Sequence, residues 1–244
     1  MEFNYPDIEE IRKRLAAVTE PEQEEPISPE EGGEVPGDES AFLTGVATFF
    51  SWSLVPLFMP VYGIMLILHL SVLSYLPMQT KLITVAVIAG INAVMPMLLI
   101  YLLKFLGIVK DVALNGRKER LLPYIISIAG FGLSALYLSS HGAPRWVWGM
   151  YTGGALTALL NLVINFKWKI SAHSAGIAGV VAMIFVTGAC GTPQHPLSWW
   201  ITGALLTAGI LGSSRIYLGR HTLFQVLAGY ITGFCPVFFS GMYL

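Results

Sequence analysis

Acidic residues are scarce in residues 41–244, which contain only Asp111 and Glu119; the other 13 of the 15 acids lie in residues 1–40. Two-metal phosphatases and metal-dependent prenyl transferases hold their ions with several Asp or Glu side chains. Two acids are too few to form such a metal site, so these two enzyme classes are excluded. The two cysteines, Cys190 and Cys235, lie in separate apolar stretches and form no metal or redox motif. We therefore predict that the protein uses no metal and no other cofactor.

Charge of either sign is scarce, because charged residues make up 12% of the chain and hydrophobic residues 55%. Soluble domains average about 25% charged residues, so we predict an integral membrane protein. A membrane-spanning helix needs about 20 apolar residues. The fold class predicted is all-α, a polytopic transmembrane helical bundle of about six to seven membrane helices. The seven apolar segments cover roughly 45–76, 80–108, 121–139, 146–166, 171–190, 197–214 and 221–243. Pro56 and Pro60 are expected to kink the first segment, and Ser171 to cap the fifth.

The chain is predicted to have two parts, an acidic tail over 1–40 and a membrane domain over 41–244. Segment 20–39 has almost no apolar residues and is expected to be disordered, as the end of a disordered acidic N-terminal tail. Residues 7–18 could form one short amphipathic helix. The first residues lack the basic start and apolar core of a signal peptide.

Polar residues gather at three junctions between apolar segments. These junctions are Lys110–Tyr124, Lys167–Gly176 and Ser214–Gln225. An even number of membrane crossings separates each junction from the next, so all three are predicted to lie on one membrane face. The preference for Lys and Arg in cytoplasmic loops explains part of this clustering, for example Lys104 and Lys167.

That preference does not explain why His173 and His221 stand beside Ser and Arg residues where apolar helices begin. The fork of donors on Arg matches phosphate oxygens, and His can act as a nucleophile or carry a proton near neutral pH. A helix N-terminus, with its free N–H groups, also suits a phosphate. These features indicate a phosphate-binding or phosphate-transferring site.

The third junction carries the strongest motif. It reads Ser214-Arg215, five residues, His221, three residues and Gln225. In this stretch the chain resembles the type-2 phosphatidic acid phosphatase family, membrane lipid phosphatases related to the vanadium haloperoxidases, whose third motif is SRxxxxxHxxxD.

The other two motifs of that family, PSxH and KxxxxxxRP, have looser counterparts. Ile170-Ser171-Ala172-His173 matches the former with Ile in place of Pro. Lys110 and Arg117 have the spacing of the latter, although Lys118 replaces Pro, and Arg120 offers a second register. The resemblance covers roughly residues 104–235, and the chain is interpreted as a divergent member.

The resemblance implies a phosphatase that removes a phosphate monoester or terminal phosphate from a lipid without a metal. His221 would attack phosphorus and form a phosphohistidine, and His173 would protonate the leaving oxygen. Arg215 would hold phosphoryl oxygens during this reaction. The predicted phosphate-binding residues are Lys110, Arg117, Arg120, Ser171 and Ser214, and the residue that orients His221 is Gln225.

Gln225 departs from the family pattern, which has an Asp at that position to stabilise the positively charged ring of the nucleophilic His. A neutral amide oxygen can orient the ring but stabilises the cation less. Three outcomes stay open: a slow enzyme, substitution by Glu119 or Asp111, or a catalytically weak or inactive relative that binds or moves anionic lipid phosphates. A vanadate-dependent peroxidase is a more distant alternative.

The predicted partners are the lipid bilayer and a membrane lipid phosphate, with no nucleic acid. The candidate substrates are phosphatidate, phosphatidylglycerol phosphate, a polyprenyl pyrophosphate and a lipid A-like glycolipid phosphate. The predicted location is the bacterial inner membrane. The absence of a recognisable signal peptide and the Lys/Arg bias favour its cytoplasmic face for the three junctions, whereas a different count of crossings around Pro56 and Pro60 would put them on the outer face.

Overall fold

The computed structural model describes residues 38–105 and 121–244. The chain divides into two units, Met1–Ala41 and Phe42–Leu244, and the description below concerns the second. The predicted amphipathic helix over 7–18 lies outside the described residues, and so does nearly all of the predicted disordered tail. Within the described ranges every regular element is helical and no strand occurs, as the composition predicts.

The α-helices follow the order of the predicted apolar segments, and each segment corresponds to one helix or one interrupted pair. Their bounds are α1 (Asp38–Ser53), α2 (Met59–Leu70), α3 (Met78–Ala89), α4 (Met95–Phe105), α5 (Leu121–Ser140), α6 (Arg145–Asn165), α7 (Ala172–Cys190), α8 (Leu197–Tyr217) and α9 (Leu223–Tyr243).

Five helices in the described residues are long and apolar enough to cross a membrane, and a bent pair would make a sixth. They are Met78–Leu102, Leu121–Ser140, Arg145–Asn165, Ala172–Cys190 and Leu223–Tyr243, and the bent pair is Ser40–Ser53 with Pro56–Leu70. Helix α8 has 21 residues, which is enough to span, but is not among these five. The protein is therefore a polytopic transmembrane helical bundle.

Prolines interrupt the first two spans. The axis bends by 41° where Pro56 opens a short 3-10 turn before α2, which confirms the predicted kink. Between α3 and α4 the break is a π-helical turn, Gly90–Val94, in which the Met95 N–H donates to the Gly90 carbonyl. Pro96 follows immediately, and a proline has no N–H and crowds the carbonyl four residues earlier. The wider π turn absorbs this conflict without ending the span.

Helix α7 is the most buried of the five spanning helices and packs against α9 along glycines. A Cβ atom at Gly229 of α9 would lie 2.6 Å from the Ser171 carbonyl oxygen, and one at Gly233 would overlap the Ala175 carbonyl. Small residues let helix backbones approach closely in lipid. This approach fixes the start of α7 beside the start of α9, where the two histidine motifs lie.

Candidate functional site

A single cavity of about 310 Å³ contains the side chains of His173, Arg215 and His221 in its wall. They come from the first turn of α7, the last turn of α8 and the link before α9. The remaining lining is mostly apolar and comes from the region around Pro56, from α4 and from α5 to α7. The tertiary structure thus brings together three side chains that the sequence separates by up to 48 positions.

His221 is oriented by Gln225, one helical turn further along the chain. The His221 Nδ1 atom lies 2.9 Å from Gln225 Oε1. The backbone N–H of Thr222 also donates to this Oε1 at 3.3 Å, and because an N–H can only donate, the amide oxygen must be the atom facing His221. Nδ1 therefore carries a hydrogen, and Nε2 is the nitrogen that holds the lone pair of a nucleophile when the ring is neutral.

The same contacts start helix α9. Thr222 is the N-cap residue, its hydroxyl accepts from the Gln225 backbone N–H, and the Gln225 side chain accepts from the Thr222 backbone N–H. This reciprocal capping box is a local sequence signal. Gln225 consequently has two roles in the structure, because one oxygen both closes the helix N-terminus and holds the His221 ring.

Arg215 is tied to His221 through the backbone of the α8–α9 link. The Arg215 carbonyl accepts from the N–H groups of Arg220 at 3.0 Å and His221 at 3.3 Å. Gly219, which lies between Arg215 and His221 in the chain, has a φ of +62°, a backbone conformation that residues other than glycine rarely adopt. This tight turn brings the guanidinium and the imidazole to the same cavity.

Ser51 of α1 contacts both Arg215 and His173, although it belongs to none of the three sequence motifs. Its hydroxyl accepts from Arg215 Nη1 at 3.4 Å, and its carbonyl oxygen lies 3.2 Å from His173 Nε2. A carbonyl can only accept, so His173 carries a hydrogen on Nε2. Ser51 itself is buried. The first span therefore helps to position a site whose motifs all lie later in the chain.

The two serines predicted to bind phosphate have other contacts. Ser171 caps α7, as predicted, by accepting from Ser174 at its side chain, and its own N–H donates to the Gln225 carbonyl at 3.3 Å. Ser214 donates to the Ile210 carbonyl at 2.7 Å within α8. Both are buried, and neither side chain lines the cavity. Their contacts hold the helix ends that carry His173 and Arg215.

The predicted phosphate ligands Lys110, Arg117 and Arg120 lie outside the described residues, and so do Asp111 and Glu119. The guanidinium of Arg215 is the positive side chain that the described part of the chain contributes to the cavity wall. The N-terminal turn of α7, which bears His173, adds the positive end of a helix dipole. Within the described ranges, no group of three or more His, Cys, Asp and Glu side chains could hold a metal ion.

Polar side chains deeper in the cavity were not predicted from the sequence. Asn92, Thr157 and Asn161 line the same cavity as the histidines. Asn92 lies in the π turn and Asn161 in α6, and both are at least nine-tenths buried. Buried amides inside apolar helices are the signal that identifies them, since amides are costly to place in a membrane interior.

The arrangement can bind an anion and present it to a nucleophile. It offers one guanidinium and two imidazoles on the same cavity, and Gln225 holds one of these imidazoles through Nδ1. Comparison of the chain with protein-family models, with curated proteins and with solved structures gives no match.

Proposed function

We propose that this protein is a metal-independent membrane lipid phosphatase that works through a phosphohistidine, as a divergent relative of the type-2 phosphatidic acid phosphatases. The observation that carries the proposal is His221, whose Nδ1 lies 2.9 Å from Gln225 Oε1, in one cavity with Arg215 and His173. Phosphoryl transfer is mainly a matter of positioning and charge stabilisation, which these groups supply.

In the first step His221 Nε2 attacks phosphorus, an N–P bond forms, and the bond from phosphorus to the lipid oxygen breaks. His173, protonated on both nitrogens, keeps its Nε2–H on the Ser51 carbonyl and transfers the Nδ1 proton to the leaving oxygen. Arg215 stabilises the negative charge on the phosphoryl oxygens.

In the second step His173 Nδ1 accepts a proton from water as the water oxygen attacks phosphorus. The N–P bond breaks, its electron pair returns to His221 Nε2, and inorganic phosphate leaves. Gln225 keeps accepting from Nδ1–H throughout. As a neutral amide it orients the ring that becomes positive in the intermediate but stabilises that charge weakly, so we expect slow turnover.

The mostly apolar wall of the cavity supports a lipid rather than a water-soluble phosphate. Apolar helices surround the cavity, and its charged and imidazole groups lie at helix ends. A phosphate group could bind at those ends while the hydrocarbon tail stays among apolar side chains or in the bilayer.

The test is phosphate release from a panel of lipid phosphates by the purified protein in detergent with EDTA present. We expect release from at least one lipid, and we expect His221→Ala to abolish it. His141→Ala is the matched control, because His141 is exposed and bonds only near its own helix end. Absence of release from every lipid, or loss of release on adding EDTA, contradicts the proposal.

Gln225 favours a second candidate function, a catalytically inactive relative that binds or moves anionic lipid phosphates. The acceptor 2.9 Å from His221 is an amide and not a carboxylate. Lipid-phosphate binding by the wild-type protein without turnover, unchanged when residue 225 becomes acidic, would favour this function over catalysis.

We further propose that the protein resides in the bacterial inner membrane with the cavity mouth toward the cytoplasm. The support is the sequence bias of Lys and Arg toward the junctions that carry the site. The C-terminal end of α9 points away from His221, so in this orientation it lies outside the cytoplasm. A reporter enzyme that folds only outside the cytoplasm should therefore be active when it is fused after Leu244. An inactive reporter would reverse this orientation.

A further inference from the structure

The cavity that contains the histidines also contains buried amide and hydroxyl groups that belong to neither histidine motif. Asn92 lies near the middle of the 25-residue span Met78–Leu102 and is 6% exposed. Asn161 of α6 is 3% exposed. An amide in the membrane interior costs several kcal/mol when its groups are unsatisfied, so its hydrogen-bond partners must be accounted for.

Asn92 has both donors occupied and its acceptor open. Nδ2 donates to the Ile88 carbonyl at 3.1 Å and to Ser134 Oγ at 2.6 Å. The Ile88 carbonyl can only accept, which fixes the amide orientation. Oδ1 has no hydrogen-bond partner among the described residues. It lies beside Gly130, another lining residue, where a Cβ atom would be 3.2 Å from it.

Helix α6 presents the complementary groups. Asn161 Oδ1 accepts from Thr232 Oγ1 at 2.9 Å, and the two hydrogens of Nδ2 have no acceptor in the described ranges. Thr157, one turn earlier on the same helix, has a buried hydroxyl without a hydrogen-bond partner in the part of the chain described. Both residues line the cavity. The inner cavity therefore offers an acceptor from the π turn and donors from α6.

A bound lipid would satisfy these groups only if it carried both a donor and an acceptor. A polyprenyl phosphate has neither on its hydrocarbon chain. The ester groups of phosphatidate accept but cannot donate, so Asn92 Oδ1 would stay unpaired. A hydroxyl or a secondary amide has both functions, since it can donate to an acceptor such as Asn92 Oδ1 and can accept from a donor such as Asn161 Nδ2 or Thr157 Oγ1.

We propose that the inner cavity selects lipid phosphates that bear an amide or a hydroxyl on the carbon skeleton near the phosphate. This selection rests on the proposed function in one respect, namely that the cavity accepts a lipid phosphate at His221 and Arg215. Sites built to hydrogen-bond a substrate discriminate strongly against analogues that leave buried groups unpaired.

The first experiment compares three probes that differ in these groups: ceramide phosphate with an amide and a hydroxyl, phosphatidate with esters only, and a polyprenyl phosphate with neither. Equilibrium binding to the His221→Ala protein in detergent removes turnover from the comparison. We expect ceramide phosphate to bind at least tenfold more tightly than the polyprenyl phosphate, with phosphatidate between them. Equal binding of all three probes overturns the selection.

The second experiment removes one inner group without changing shape. Thr157→Val in the His221→Ala background replaces a hydroxyl that has no described partner by a methyl, so we expect the fold to persist. Ceramide phosphate binding should weaken about tenfold and polyprenyl phosphate binding should not change. Thr207→Val is the matched control, because its hydroxyl bonds to the Gly203 carbonyl on the exposed side of α8.

Gly130→Ala gives an independent check, since its methyl group would crowd Asn92 Oδ1. We expect the same selective loss for ceramide phosphate. Equal losses for ceramide and polyprenyl phosphates, or no loss in Thr157→Val and Gly130→Ala alike, overturn the selection. Selective binding by a protein that never releases phosphate refutes the proposed catalysis and leaves the selection intact. Phosphate release without selective binding supports the proposed catalysis and refutes the selection.

Discussion

Replacing Gln225 by Glu should increase phosphate release. Glu has the length of Gln, so its Oε1 can keep the 2.9 Å contact with His221 Nδ1 and the 3.3 Å contact with the Thr222 N–H. Glu also serves equally well in a capping box. The substitution therefore changes the charge beside the ring while preserving the local geometry. Asp, one methylene shorter, would not reach the same position without a backbone shift.

The expected gain follows from the charge alone, because the tautomer of His221 is already correct with Gln225. A hydrogen bond to a charged partner exceeds a neutral one by about 1.5 kcal/mol. The Coulomb energy of the pair is larger, about 4 kcal/mol at 4 Å with an effective dielectric constant of 20, but desolvation of the new carboxylate offsets much of it. We expect kcat to rise about tenfold, since 1.4 kcal/mol corresponds to a factor of ten.

The assay is steady-state phosphate release by wild-type and Gln225→Glu proteins, with kcat measured at saturating lipid over a range of pH. Gln194→Glu is the matched control, because Gln194 does not line the cavity and its Oε1 accepts from the Tyr75 hydroxyl. An unchanged or lower kcat in Gln225→Glu, with lipid binding and thermal stability preserved, would refute the role of Gln225 beside a nucleophilic histidine.

Two further predictions concern the supports of the site. Gly233→Val should lower the melting temperature and reduce phosphate release, because the new side chain overlaps the Ala175 backbone and separates α9 from α7. Overpacking of this kind costs about 1–3 kcal/mol of folding stability. The control is Gly203→Val, whose side chain enters open space and should leave both measurements unchanged. Ser51→Ala should reduce kcat/KM about tenfold, because it removes the hydroxyl that contacts the Arg215 guanidinium while the backbone carbonyl of residue 51 still contacts His173. A normal kcat/KM in a fully folded variant would show that the hydroxyl contact does not position Arg215.

The sequence determined the helical membrane architecture because lipid imposes its constraint locally. A spanning segment must satisfy its own backbone hydrogen bonds and expose apolar side chains, so its composition alone reveals it. The seven apolar segments therefore correspond to the observed helices to within a few residues, except where α1 begins earlier. The kink at Pro56 and the cap at Ser171 are equally local features, and both were predictable.

Part of the site was also visible in the sequence, since His221 comes just before α9 and Gln225 lies four positions later in its first turn. The counting of crossings placed His173 and Arg215 on the same membrane face as His221. That counting could not show that the three side chains share one cavity, because the spacing between helices depends on close approaches such as that of Gly233 to Ala175.

Only the tertiary structure decided which residues complete the cavity. Ser51 contacts Arg215 and His173 from the first span, 164 and 122 positions away respectively, and its sequence surroundings are those of an ordinary apolar helix. Asn92 and Asn161 become an acceptor and a donor of one cavity because the π turn and α6 both line it. Local sequence determines what each helix is in lipid, whereas the packing of helices determines which polar groups face one another.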